Sequence, residues 1–203
     1  HAHLGHLAML SREYERAHVE FELVYKLDPG YPTVRIDLGE VLLFRGRVDE
    51  ARYYLRQELQ SQLDSSDFTL SFTEAARLGL LLSRCELFAE AVDLYELMLL
   101  QFGESADLLR ELAHARFRSG DVDSGVATSR RVLRLDATCL CSMHNLALAS
   151  LEQGRLRTAA GWIRRGLRVD RTDEGLRRLR SRLGFALVSW GVRRLIRRGH
   201  RTG

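Results

Sequence analysis

Cys139, Cys141 and His144 are the one cluster in this 203-residue sequence whose residue types and spacing suggest a metal site. Structural zinc normally takes four ligands, and its paired cysteines are usually separated by two to four residues. A Cys-x-Cys pair with one nearby histidine supplies three ligands at most, and Cys85 is far away in the sequence. We therefore interpret the two thiols as buried or half-buried groups at the start of a helix. No metal site and no cofactor are predicted.

Other catalytic patterns are missing from the sequence. His1, His3 and His6 do not share one helix face, so they do not form a ligand set. We find no glycine-rich phosphate loop and no strand-turn-helix serine motif, and no carboxylate pair stands out among the 27 acidic residues. The chain is therefore not predicted to be an enzyme.

Charge and cysteine content indicate the compartment. The longest run without Asp, Glu, Lys or Arg covers residues 137–151, whereas a membrane-spanning helix needs about 20 mostly apolar residues. No signal peptide is recognisable, and three cysteines suit a reducing compartment better than a disulfide framework. A cytoplasmic protein is predicted, with association at a membrane surface as an open alternative.

An internal sequence repeat predicts the helices that would carry any functional surface. Small residues separated by 34, 40, 34 and 34 positions each follow a polar turn: Ala17, Ala51, Ala91, Gly125 and Ala159. Thirteen residues before the first comes Leu4-Gly5, and the later equivalents are Leu38-Gly39, Leu78-Gly79, Leu112-Ala113 and Leu146-Ala147. Four residues after the small positions stand Phe21, Leu55, Tyr95, Ser129 and Ile163. Each unit thus predicts two helices of about a dozen residues joined by a short turn.

This register resembles the tetratricopeptide repeat (TPR) family. The matching residues are the Leu-Gly or Leu-Ala pair, the small residue of the second helix, the apolar residue four further on, and Pro29. The resemblance covers five repeats, the first of which lacks its opening residues. It implies an all-α, right-handed superhelical solenoid of helix-turn-helix repeats and a non-catalytic role in protein–protein interaction.

Two departures from the period define the predicted organisation. Six extra residues near 61–72 separate the second and third repeats, where Ser71 and Glu74 predict a capping box. We interpret this insertion as an irregular loop, with a functional loop as the alternative. The repeats end near residue 172, and residues 173–203 predict an amphipathic capping helix. Its apolar stripe comprises Leu176, Leu179, Leu183, Leu187 and Trp190.

In the geometry of the family, the first helix of each repeat lines a concave groove. Position by position, the partner-binding candidates are His6, Ile36, Glu40, Phe44, Leu80, Arg84, Arg110, His114, Phe117, Arg118, His144 and Leu148. The two phenylalanines are candidate anchors for an apolar side chain, and the arginines are candidate partners for peptide carboxylates. Alternatively, Arg110 and Arg118 are solvated or paired with neighbouring acids such as Asp107. The Lys/Asn clamp that one TPR subclass uses for chaperone C-termini is missing.

The charge is unevenly distributed. Residues 1–154 carry 16 basic and 24 acidic side chains, a net charge of −8, whereas residues 155–203 carry 15 arginines and three acids, a net charge of +12. The basic tail comprises Trp190, Arg193, Arg194, Arg197 and Arg198. Three interpretations remain open: a cap with a solvated basic face, an interfacial helix on anionic lipid, or a contact with an acidic partner, including a second copy of the chain. No aromatic-basic RNA module is recognisable, which argues against nucleic-acid binding.

The sequence thus predicts a scaffold that binds a protein or peptide partner in its concave groove and helps to assemble or localise a complex. The alternative is a peripheral adaptor that docks on a membrane surface through its arginine-rich C-terminal helix.

Overall fold

The computed structural model describes the backbone of residues 1–65 and 67–199 and the side chains of residues 1–65 and 67–188. All regular structure in this part of the chain is α-helical. The chain divides into two compact units, residues 1–104 and 105–203. The first unit contains α1 (Ala2–Leu10), α2 (Tyr14–Leu27), α3 (Val34–Phe44), α4 (Val48–Asp64), α5 (Phe72–Arg84) and α6 (Phe88–Phe102). The second contains α7 (Ala106–Ser119), α8 (Val122–Leu135), α9 (Leu140–Glu152), α10 (Leu156–Val169) and α11 (Glu174–Gly199).

A left-handed residue ends the turn between the two helices of every repeat. It is Arg12, Gly46, Glu86, Gly120 and Gly154 in the five repeats, with φ angles between 60° and 92°. These positions follow the same 34- and 40-residue steps as the small residues of the second helices. Glycine adopts this conformation without the steric cost that a side chain adds, about 1–2 kcal/mol. The three glycines therefore mark the helix-to-helix turns, and Arg12 and Glu86 adopt the same geometry at that cost.

Within each repeat of the first unit, a glycine of the first helix faces a large side chain of the second. A Cβ placed on Gly39 would lie 2.5 Å from Cδ2 of Leu55, and one on Gly79 would lie 2.6 Å from the Tyr95 ring. Gly5 faces Phe21 in the same way, at 2.5 Å. The large side chains are buried. The Leu-Gly pairs in the sequence thus provide the space that these side chains fill.

The insertion between the second and third repeats is held by polar contacts. The backbone N–H of Thr69 donates to Oε1 of Gln62 at 3.0 Å, and the amide of buried Gln62 donates to Glu58 at 3.0 Å. The Ser71 hydroxyl accepts the N–H of Glu74, whose carboxylate accepts the N–H of Ser71. The predicted capping box is confirmed.

In the second unit, the first half of α11 packs on α9 and α10. Leu176, Leu179 and Leu183 are buried in a cluster with Ala147 and Ile163. The predicted apolar stripe is therefore buried over residues 176–183. Leu187 is half-exposed, and the side chain of Trp190 lies outside the described residues. The boundary at residue 172 remains a prediction.

Candidate functional site

An aromatic-cationic contact lies at the exposed end of α3 in the first unit. The Phe44 ring stacks on the Tyr14 ring with 4.8 Å between the centroids and an interplanar angle of 2°. The guanidinium carbon of Arg84, on α5, lies 5.3 Å from the centroid of the Phe44 ring. Phe44 nevertheless remains 44% exposed, and it lines an open cleft of about 540 Å³ together with Tyr14 and Arg45. The structure therefore brings together Phe44 and Arg84, two residues that the sequence analysis assigned to the same partner-binding set.

Leu80 extends this patch along α5. It lies one helical turn before Arg84, and its side chain is 57% exposed. Residues four apart occupy the same helix face, so the leucine and the arginine present neighbouring apolar and cationic groups. We call Tyr14, Phe44, Leu80 and Arg84 the first-unit patch.

A charged network joins the first helices of the three repeats in this unit. The carboxylate of Asp37 is 1% exposed and lies 3.2 Å from Nε2 of His6 and 2.8 Å from Nη2 of Arg77. Arg77 also donates from Nε to Oε2 of Glu40 at 2.8 Å. Burial lowers the pKa of Arg77, but the two carboxylates together outweigh this effect and raise it. His6 and Glu40, both predicted to face a partner, are thus engaged within the protein.

The prediction that Ile36 lines the partner-binding groove is wrong. Its side chain is fully buried in the core of the first unit, so it does not line an exposed surface. It lies two residues after Val34 and two before Leu38, which are also buried. The first half of α3 is covered on several sides, and the register of the repeat alone did not show this.

In the second unit, Arg110 on α7 pairs with Asp107 on the preceding turn, with 2.6 Å between Nη2 and Oδ1. Burial lowers the pKa of Arg110, but the Asp107 carboxylate and the nearby thiol groups of Cys141 and Cys139 raise it overall. The alternative in which Arg110 is paired with a neighbouring acid is therefore confirmed. His114 and Arg118 are exposed on the same helix.

Three other candidates of the second unit contact neighbouring helices. The Phe117 ring faces Gly125, where an added Cβ would lie 3.0 Å from the ring. The imidazole of His144 faces Gly175 at the start of α11, where an added Cβ would lie 3.1 Å from Cδ2 of the ring. Leu148 packs against the buried cluster that α11 shares with α9 and α10. These side chains are therefore partly covered.

The thiols lie at the start of α9, as the sequence suggested, but only one of the two is buried as predicted. Cys139 is the N-cap residue and is buried, whereas Cys141 is exposed, and their Sγ atoms are 3.2 Å apart. Among the described residues, no group of three or more His, Cys, Asp or Glu side chains could hold a metal ion. His1 pairs instead with Glu20, with 2.6 Å between Nδ1 and Oε2.

The basic tail lies in the last part of α11. The side chains of Trp190, Arg193, Arg194, Arg197 and Arg198 are outside the described residues. In the part of the chain that the structure describes, every helix is too short or too polar to cross a bilayer.

Sequence reasoning missed Tyr14, Asp37 and Arg77. Asp37 and Arg77 are 40 residues apart, which is the step between the second and third repeats, so they occupy equivalent positions on adjacent first helices. Opposite charges at equivalent positions of neighbouring repeats are the signal that could have found this pair. Tyr14 opens α2 near the preceding turn, and no pattern in the sequence linked it to Phe44.

Comparisons with known proteins agree with this architecture. Residues 8–67 match the family model described as "Tetratricopeptide repeat". No curated protein matches the chain by sequence. Among solved structures, YrrB, a TPR protein described as having an unusual peptide-binding site, is 14% identical, with a TM-score of 0.70 over 87% of this chain and 88% of that chain.

Two further structures show the same fold. MamA is 17% identical, with a TM-score of 0.64 over 83% of this chain and 95% of that chain. A tetratricopeptide repeat protein from Parabacteroides merdae is 13% identical, with a TM-score of 0.69 over 92% of this chain and 72% of that chain. The predicted all-α fold is confirmed: residues 8–67 match the tetratricopeptide repeat model, and the solved structures with the same fold are similar over most of the chain.

Proposed function

We propose that the chain is a non-catalytic TPR scaffold that binds a peptide or helix of a protein partner through the exposed face of its first helices. The observation that carries this proposal is the first-unit patch, in which the Phe44 ring stacks on Tyr14, lies 5.3 Å from the guanidinium carbon of Arg84, and still faces solvent.

The chemistry of this patch suits a peptide that combines an apolar side chain with a carboxylate. Aromatic residues and arginine are enriched among the residues that contribute most to binding energy at protein interfaces. The stacked Tyr14 ring and the arginine hold Phe44 in place, so little conformational entropy is lost when a partner covers it. Arg84 keeps guanidinium N–H groups available for a bidentate carboxylate contact. The peptide-binding site described for YrrB supports the same class of partner.

The test begins with selection of binders to the full chain from a random peptide library. The selected peptides are then measured by fluorescence anisotropy against Phe44→Ala/Arg84→Ala. We expect binding to weaken at least about tenfold, since loss of 1.4 kcal/mol or more is typical of central interface residues. The matched control is Arg56→Ala/Leu100→Ala, which removes an exposed arginine and an exposed leucine from the second helices of the same unit.

Retention of helical circular dichroism by both variants separates lost binding from lost fold. The proposal fails if no peptide is selected, or if the selected peptides bind the patch variant as tightly as the original chain. It also fails if the control variant weakens binding equally.

A membrane-surface adaptor is the second candidate, because α11 presents exposed apolar side chains before its arginine-rich end. Phe185, Leu187 and Val188 are exposed, and the sequence continues into the basic tail. Apolar insertion and arginine contacts with anionic headgroups would act together.

Co-sedimentation of the full chain with phosphatidylcholine vesicles, with and without phosphatidylserine, tests this second candidate. Salt-sensitive binding that requires phosphatidylserine and is lost when Arg193, Arg194, Arg197 and Arg198 are all replaced by Gln is the expected result. Equal pelleting of both proteins with both vesicles would reject it.

A further inference from the structure

Cys139 and Cys141 are close enough to react with each other. Their Sγ atoms are 3.2 Å apart, less than two sulfur van der Waals radii, and the Sγ of Cys139 lies 3.4 Å from Oγ of Ser142. Residues two apart at a helix start have Cα atoms about 5–6 Å apart, inside the range that disulfides span. Cys139 is the N-cap residue, and its ψ of 101° is not helical. Helical geometry therefore does not fix the backbone at this cysteine.

Access and surroundings distinguish this pair from the third cysteine. Cys141 is exposed at the start of α9, whereas Cys139 is buried beside it. Arg110, on α7 of the same unit, interacts electrostatically with both sulfurs when they are thiolates. Cys85 lies in the first unit and is fully buried, which removes it from contact with a dissolved reagent.

We propose that Cys139 and Cys141 form a reversible intrachain disulfide by thiol–disulfide exchange with a low-molecular-weight disulfide of the glutathione class. The reaction is a property of the second unit, and it does not depend on the peptide binding proposed above.

The exchange proceeds in two displacements. The Cys141 thiolate attacks one sulfur of the external disulfide, which breaks its S–S bond and releases one small thiolate. The Cys139 thiolate then attacks Sγ of Cys141, forming the intrachain bond and releasing the second small thiolate. The protein loses two electrons and two protons, and the external disulfide gains them as two thiols.

The roles of the two sulfurs follow from their environments. Burial raises the pKa of Cys139, but hydrogen bonds from Ser142 and Cys141 outweigh it and lower the pKa overall. Burial and the neighbouring Cys139 sulfur raise the pKa of Cys141 to about 11. Access decides the order of attack, because Cys141 is the exposed sulfur and the reagent reaches it first. The lowered pKa of Cys139 favours its thiolate form for the second displacement, across the 3.2 Å that separates the two sulfurs.

Intact-mass analysis of the full chain treated with oxidised glutathione tests the proposal. We expect loss of two hydrogen atoms with no glutathione retained, and reversal by dithiothreitol. Trypsin cleaves after Arg134 and Arg155 and leaves both cysteines in one peptide without an internal Lys or Arg, so the loss must appear in residues 135–155. Cys139→Ser should instead stop at a mixed disulfide on Cys141.

The matched control is Cys85→Ala, which removes the buried thiol of the first unit and should leave the mass change intact. Glutathione retained on the original chain, or disulfides that join two copies of the chain, would overturn the proposal. Loss of the mass change in Cys85→Ala would overturn the proposal as well, because the disulfide would then involve Cys85.

Discussion

Gly39→Ala should destabilise the first unit, although alanine favours a helix over glycine. The substitution gains about 1 kcal/mol of helix propensity in the middle of α3. The new methyl group would lie 2.5 Å from Cδ2 and 2.7 Å from Cγ of Leu55, both well inside contact distance. Leu55 is fully buried, so rotation about its χ angles moves it into other core atoms. Overpacking of this kind costs about 1–3 kcal/mol, which leaves a net loss of about 1 kcal/mol.

The same substitution at an open position provides the control. Gly161 lies in the interior of α10, and an added Cβ would meet no atom within 4 Å. Gly161→Ala should therefore gain the helix propensity alone, raising the free energy of unfolding by about 1 kcal/mol. Urea denaturation followed by circular dichroism measures both variants against the original chain.

A double variant isolates the cause. Leu55→Ala alone should cost about 2–5 kcal/mol, because it removes buried methyl groups and leaves a cavity. In that background Gly39→Ala meets no branched side chain and should stabilise, so the two substitutions should couple favourably by about 2 kcal/mol. Stabilisation by Gly39→Ala in the original chain, equal to that of Gly161→Ala, would refute the close-contact argument.

Three further predictions concern the described residues. Burial is the main cause that lowers the pKa of His18 from 6.5, so stability should fall as the pH drops from 6.5 through this lowered pKa. His18→Gln should flatten the fall of the melting temperature as the pH drops below 6.5, and an unchanged slope would contradict the assignment. Arg77→Ala leaves the buried Asp37 carboxylate without its arginine and should cost about 2–4 kcal/mol in urea denaturation, less than for a fully buried pair because Arg77 is one-third exposed. Glu86→Gly relieves a left-handed turn with φ of 60° and should raise the unfolding free energy by about 0.5 kcal/mol, after the extra entropy of glycine in the unfolded chain; a lower melting temperature would show that the turn is unstrained.

Much of the fold was predictable because its determinants are local and repeat. The leucine-glycine pairs, the small residues at 34-residue steps and the glycines of the turns each report on contacts within one helical hairpin. The capping box at Ser71 is a contact across three residues, so its sequence pattern was sufficient. Cys139 at a helix start was predictable for the same reason.

The candidate surface was only partly predictable. Ile36 and Phe44 both occupy first-helix positions that the family register assigns to a groove, yet one is fully buried and the other is nearly half-exposed. His144 was assigned in the same way, although its ring contacts the start of α11. The register fixes which face of a helix a residue occupies, but not where a neighbouring helix crosses that face.

The sequence by itself determined the repeat, its period, the six-residue insertion and the opposite charges of the body and the tail. Tertiary structure decided which side chains remain open to a partner: it stacked Phe44 on Tyr14 beneath Arg84, enclosed Asp37 between His6 and Arg77, and placed two thiols 3.2 Å apart. The physical reason is that hydrophobic periodicity requires only that an apolar face be buried. The exposure of each surface residue depends on the crossing of helices that are distant in sequence, and their side chains fit together only after the repeats have stacked.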